Sequence, residues 1–276
     1  MASVVTQTQK HQVGRATTVP KRPAVAWFLA DATAMAKRYV IGMGRTPDVL
    51  AFVCVQPIIF VLLFRYIFGG SIHIRGVSYV NFLVCGLIVQ TVAFSSQPTA
   101  VALATDLQSG IIERFRSLAM SRAAVLTGRS LSDTIRYGFA TVLMIGIGYL
   151  VGLRVHGSPI DVIAAIGLLA LFGLSMSCLM AFLAFSLKSA EAAVAASFPI
   201  LGLLIFPSNV YASPQTMPEP LGAYATHQPV SEVTDAVRAL LLGGPTSTHV
   251  LQALAWSLGI TVVFGGLAIR SYRKAA

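Results

Sequence analysis

Six long apolar runs divide this chain, at 48–68, 79–104, 131–153, 160–187, 192–210 and 249–269. A helix rises about 1.5 Å per residue, so about 20 apolar residues cross the hydrocarbon of a bilayer. The run at 192–210 contains Pro199 and Pro207, which lack N–H groups and predict kinks covered by neighbouring helices. The pattern predicts an all-α membrane protein with six transmembrane helices.

Other stretches keep a helical period without the length to span. Residues 24–46 mix Trp27, Phe28, Met35 and Tyr39 with Lys37, Arg38 and Arg45, which predicts an amphipathic helix lying in the membrane interface. Residues 1–23 are polar, contain Pro20 and Pro23, and read as a flexible cytosolic tail without the short apolar core of a secretory leader. The stretch SGIIERFRSLAMSR, 109–122, puts Ile111, Ile112, Phe115, Leu118 and Ala119 on one face. Glu113, Arg114 and Arg116 fall off that face, and Asp106 is placed to cap its start.

After the fifth run, SPQTMPEP is turn-rich and PVSEVTDAVRALLLGGP predicts a short external helix. Ser231 is its expected cap, Glu232 lies in its first turn, and Gly243-Gly244-Pro245 ends it. Too short to span, it is expected to dip into the outer face or lie on it, with Asp235 and Arg238 as a solvated i,i+3 pair.

Composition supports the membrane reading. Of the 276 residues 55% are hydrophobic and 11% charged, against about 25% charged in soluble domains. The net charge of +10 could suggest nucleic acid, but its distribution gives another reason. Sixteen of the 20 Lys and Arg fall in 1–47, in 105–136, at Lys188 or after Ile269. Arg65, Arg75, Arg154 and Arg238 fall on the other side. Basic residues collect on cytosolic loops, so both termini are expected in the cytosol and the charge is an orientation signal.

The chemistry expected of an enzyme is missing. None of the five lysines follows a glycine, so the chain has no GxxxxGK[ST] phosphate loop. HExxH and GxSxG are absent, and five scattered histidines share no metal-ligand spacing. Cys54, Cys85 and Cys178 sit in apolar runs as small hydrophobes. Asp133, Arg136, Lys188 and Glu191 lie toward span ends, so the spans offer no deep acid of the kind proton-coupled carriers keep.

One polar stripe does run through a span. Gln90, Phe94, Gln97 and Val101 stand at i, i+4, i+7 and i+11 of the second run, on one face. Amides there need protein or water partners. Either they join helices to one another, or they line a substrate cavity at an interface between two membrane subunits.

RTPDVLAFVCVQPIIFVLLFRYIFGG, YVNFLVCGLIVQTVAF, DLQSGIIERFRSLAMSRAAVLTGR and HQPVSEVTDAVRALLLGGP together resemble the ABC-2 family of ABC transporter permeases. The likeness extends from about Arg45 to the end, and is greatest to permeases of the daunorubicin-resistance export type. The resemblance implies a transmembrane domain over 24–276 and short external helices between spans five and six. It also implies a second permease, as homodimer or heterodimer, and two cytosolic ATP-binding-cassette ATPases.

ATP and Mg would sit on those ATPases, with no cofactor on this chain. The stretch Ile112, Glu113, Arg114, Phe115 and Arg116 would be the coupling helix that docks on the ATPase, although Ala119 stands where many members have proline. The implied function is export of a drug, lipid or polyketide from the cell membrane, with membrane lipids around it and no enzymatic role. The reading that competes is an ion-coupled secondary carrier for amphipathic drugs.

Overall fold

A computed structural model describes residue 55 and residues 58–68, 78–109, 122–187 and 189–275. The described residues contain helices and no strand. Helical backbone at 58–63 runs into a π-helical turn, Phe64–Phe68. Then come α1 (Tyr79–Phe94), α2 (Gln97–Gln108), α3 (Arg122–Val151) and α4 (Pro159–Ser186). They are followed by α5 (Ala190–Ile205), α6 (Leu221–His227), α7 (Pro229–Leu242) and α8 (Thr246–Ala275).

Among the described residues, four stretches are long and apolar enough to cross a bilayer: Tyr79–Gln108, Ser132–Val151, Pro159–Ser186 and Thr246–Ser271. Of the predicted run at 48–68, residue 55 and residues 58–68 are described. The expected tail at 1–23 and the interfacial helix at 24–46 lie outside the described residues.

The second predicted span is two helices. Ser95 and Ser96 turn their hydroxyls back onto the Thr91 and Ala93 carbonyls, at 2.7 and 2.6 Å. Pro98 has no N–H to continue the ladder, so a new helix begins there. α1 is apolar nearly all round, and 13 of its 16 residues are buried, which makes it a central element of the bundle.

α4 lies along α8 and also packs on α2, α3 and α7. Its start is fixed by a reciprocal pair: the Ser158 hydroxyl accepts from the Asp161 amide, and the Asp161 carboxylate accepts from the Ser158 amide at 2.9 Å. Gly152, at φ 113°, makes the turn out of α3 that a side chain would strain.

α5 ends at Ile205, short of the predicted 210. Its 16 residues extend roughly 24 Å, less than the ~30 Å hydrocarbon core. The chain then continues as turns through Ser208, Asn209 and Val210, all buried. Val210 lies against Gly86 of α1, where a Cβ would come 2.5 Å from the Val210 carbonyl oxygen. Gly86 is seven residues into α1, so irregular backbone sits roughly 10 Å below the start of that helix.

α7 returns through the bundle rather than lying on its surface. Ten of its 14 residues are buried, and it packs against α1, α4 and α8. Ser231 is not its cap: the helix begins at Pro229, and the buried Ser231 hydroxyl accepts from the Asn209 amide at 3.1 Å. The Leu241 carbonyl at its end takes the His156 and Gly157 amides, at 2.9 and 3.1 Å, which ties α7 to the α3–α4 turn.

Candidate functional site

Gln90, Phe94 and Gln97 share one seam, and each meets a partner from α5 or the chain just after it. The Tyr211 hydroxyl donates to Gln90 Oε1 at 2.6 Å. The Phe94 ring stacks on Phe198 with centroids 6.0 Å apart, and Gln97 Nε2 donates to Ser197 Oγ at 3.1 Å. Gln90 is buried, whereas Phe198 is 55% exposed. Further along, Phe64 stacks on Tyr211 at 4.7 Å, and Phe206 lies on Tyr211 at 6.0 Å. The result is a run of aromatic rings with two amides beneath it and open ring surface at Phe198 and Phe206.

A second polar group lies where α2, α3 and α4 meet. Asp133 and Arg136, one turn apart on α3, form an ion pair at 2.8 Å with side chains 1% and 11% exposed. Thr99 of α2 donates to Asp133 Oδ2 at 2.9 Å and accepts from Arg136 Nη2 at 3.2 Å. Ser177 of α4 donates to the same carboxylate oxygen at 3.3 Å and also bonds the Tyr137 hydroxyl. Gly173 makes room for the Tyr137 ring, which would overlap any Cβ there. Asp133 and Arg136 stand at the start of the candidate span Ser132–Val151, toward a span end as expected, but they are buried among three helices. The position near a span end was legible in the sequence, whereas the partners Thr99 and Ser177 were not.

Arg238 of α7 is a further correction. It is not solvated: its side chain is 11% exposed, and its Nη2 donates to the carbonyls of Asn209 at 2.8 Å and Phe82 at 3.2 Å. Asp235, at 3.2 Å, is the more exposed partner at 36%. Irregular backbone within an apolar bundle must find its partners in the protein, and Arg238 supplies them.

The sequence profile of the ABC-2 type transporter family matches residues 31–242. This chain belongs to the ABC-2 type transporter family. It is 32% identical over 254 residues to the daunorubicin resistance ABC transporter permease protein of Streptomyces coeruleorubidus, covering 92% of this chain and 90% of that one. It is 24% identical over 255 residues to a probable doxorubicin resistance ABC transporter permease protein of Mycobacterium tuberculosis, covering 92% of each. These relatives are permease subunits. In such systems ATP hydrolysis belongs to a separate ATP-binding-cassette ATPase, and the permease is a multi-pass membrane protein without an enzymatic activity of its own.

In this ABC-2 permease, Ile112, Glu113, Arg114, Phe115 and Arg116 lie outside the described residues. Asp106, expected to cap that stretch, is instead in the last turn of α2. A cavity of about 340 Å³ opens between α1, α7 and the start of α8, lined by Phe82, Asp235, Arg238, Leu242 and His249 among others. Its charged groups, Asp235 and Arg238, are engaged with one another. Near it, burial and the neighbouring Asp235 push the Glu232 carboxyl above its ordinary value, partly offset by His249 and His227. No cluster of His, Cys, Asp and Glu able to hold a metal occurs among the described residues.

Proposed function

We propose that this permease is the membrane half of an ATP-driven exporter of amphipathic, ring-bearing compounds. The observation that carries this reading is the likeness over 92% of the chain to a permease named for daunorubicin resistance. Six spans with both termini in the cytosol account for the distribution of basic residues. A second permease and two ATPases complete the assembly. The stretch Ile112–Arg116 docks on the ATPase, and ATP and Mg stay on that partner. The run of rings from Phe64 through Tyr211 and Phe206, with Phe94 and Phe198 below, supplies the apolar wall of the path. Apolar and aromatic walls with few polar groups are what a drug-sized ligand needs.

An ion-coupled carrier would need an acid free to exchange its proton. Among the described residues of the candidate spans the buried acid is Asp133, and it is held by Arg136, Thr99 and Ser177, which favours the ATP-driven reading.

The test is co-purification. Tagged permease should retain a cytosolic ATP-binding-cassette ATPase through solubilisation. Glu113→Lys or Phe115→Asp should release it while leaving the permease folded and in the membrane. Retention of the ATPase by both variants, with full permease-stimulated ATP hydrolysis, would remove Ile112–Arg116 from the docking surface.

A further inference from the structure

We infer that Asp133, Arg136, Thr99 and Ser177 form a joint that makes the inner halves of α2, α3 and α4 move as one block during transport. The inference rests on the proposed entry of nucleotide-driven motion through the segment between α2 and α3.

The joint is placed for that task. Thr99 is nine residues before the end of α2, and Asp133 is eleven residues after the start of α3. Both therefore stand roughly 14–17 Å along the helices from the segment that connects them. The bonds that cross between helices come from hydroxyls. Thr99 closes a ring with both members of the ion pair, and Ser177 brings α4 onto the same carboxylate oxygen. The Tyr137 ring, seated against Gly173, adds close packing of α3 on α4 at the same level.

Stability alone does not account for this arrangement. A buried ion pair contributes little net stability, and apolar residues of similar volume often replace it without loss. What the ring of bonds does provide is one defined arrangement of three helices, since sliding any of them breaks a bond to a buried charge. A push on the connecting segment then shifts the block against α5 and α8 instead of separating α2 from α3.

The experiment uses the permease assembled with its ATPase in lipid nanodiscs, in a cysteine-free background. Spin labels at Thr105, Ile135 and Ser186, all exposed, report the α2–α3 and α3–α4 distances with and without vanadate-trapped nucleotide. Both distances should change by less than about 2 Å in the parent. Thr99→Val removes the crossing hydroxyl but leaves Asp133 paired with Arg136. It should let the α2–α3 distance shift on trapping and lower permease-stimulated ATP hydrolysis by about fivefold or more. Thr99→Ser should restore both.

Thr141→Val is the control, because the Thr141 hydroxyl is buried and bonds nothing in the structure, and it should behave as the parent. Internal distances that change in the parent, or a Thr99→Val protein that behaves as the parent, overturn the joint. A permease that binds no ATPase overturns the proposed function, and the joint with it.

Discussion

The Arg238 guanidinium lies 3.4 Å from the centroid of the Phe82 ring and reaches past it to the Asn209 carbonyl at 2.8 Å. One side chain of the returning helix α7 thus closes carbonyls left open where α5 stops early. Arg238→Ala should lower stability by about 2–4 kcal/mol, because several buried acceptors lose their donor together. Arg238→Lys should recover little, since one ammonium cannot reproduce the bonds that Nε, Nη1 and Nη2 make at once to Phe82, Asp235 and Asn209. Thermal unfolding in detergent checks this. An Arg238→Ala protein that melts with the parent would show that the carbonyls find other partners.

Close approach at two glycines gives a second prediction. A Cβ at Gly86 would press on the Val210 backbone and one at Gly173 on the Tyr137 ring, whereas one at Gly146 meets nothing within 4 Å. Gly86→Ala and Gly173→Ala should each cost about 1–3 kcal/mol. Gly146→Ala should be neutral or stabilising, by up to about 1 kcal/mol, as expected for an open helical site. The order of melting temperatures decides it.

These positions show what was legible beforehand and what was not. The runs that became α4 and α8 are apolar over a full span, so periodicity and length suffice to place them. The break between α1 and α2 was signalled by Ser95-Ser96-Gln97-Pro98, and the early end of α5 by Pro207-Ser208-Asn209, yet continuous hydrophobicity outweighed both. Arg238 was misplaced for a deeper reason. An Asp and an Arg one turn apart have the same spacing whether wet or buried, and what makes Arg238 necessary is backbone 28 and 29 residues earlier in the chain. The Asp133–Arg136 pair is similar, because Thr99 and Ser177 lie 34 and 44 residues away from Asp133. The seam was readable as a face on α1 and α2; its partners on α5 were not.

Orientation follows from the basic residues and can be tested by access. In a cysteine-free background, single cysteines replacing Ser3 and Ala275 should resist membrane-impermeant thiol reagents in intact cells. One replacing Gln215 should react. Labelling of both termini from outside would contradict the arrangement of six spans with cytosolic ends.

The seam should govern which compounds pass. Phe94→Ala and Phe198→Ala each remove one ring of the same stacked pair, so they should shift the set of exported compounds in the same direction. A lost aromatic pair is worth about 0.5–1.5 kcal/mol beyond area, so effects of several-fold on half-maximal concentrations are expected. Expression and basal ATP hydrolysis should persist. Variants that lose stability alone, or that export every compound as the parent does, would place the path elsewhere.

The central claim is that energy enters this permease from a separate ATPase, and flux in proteoliposomes tests it most directly. Purified permease is reconstituted with and without its ATPase, and movement of daunorubicin is followed after adding ATP and Mg, or after imposing a proton gradient instead. The account predicts vanadate-sensitive movement only when ATPase and ATP are both present, with none driven by the gradient. Gradient-driven movement by the permease alone, at a rate unaffected by ATP, would contradict it.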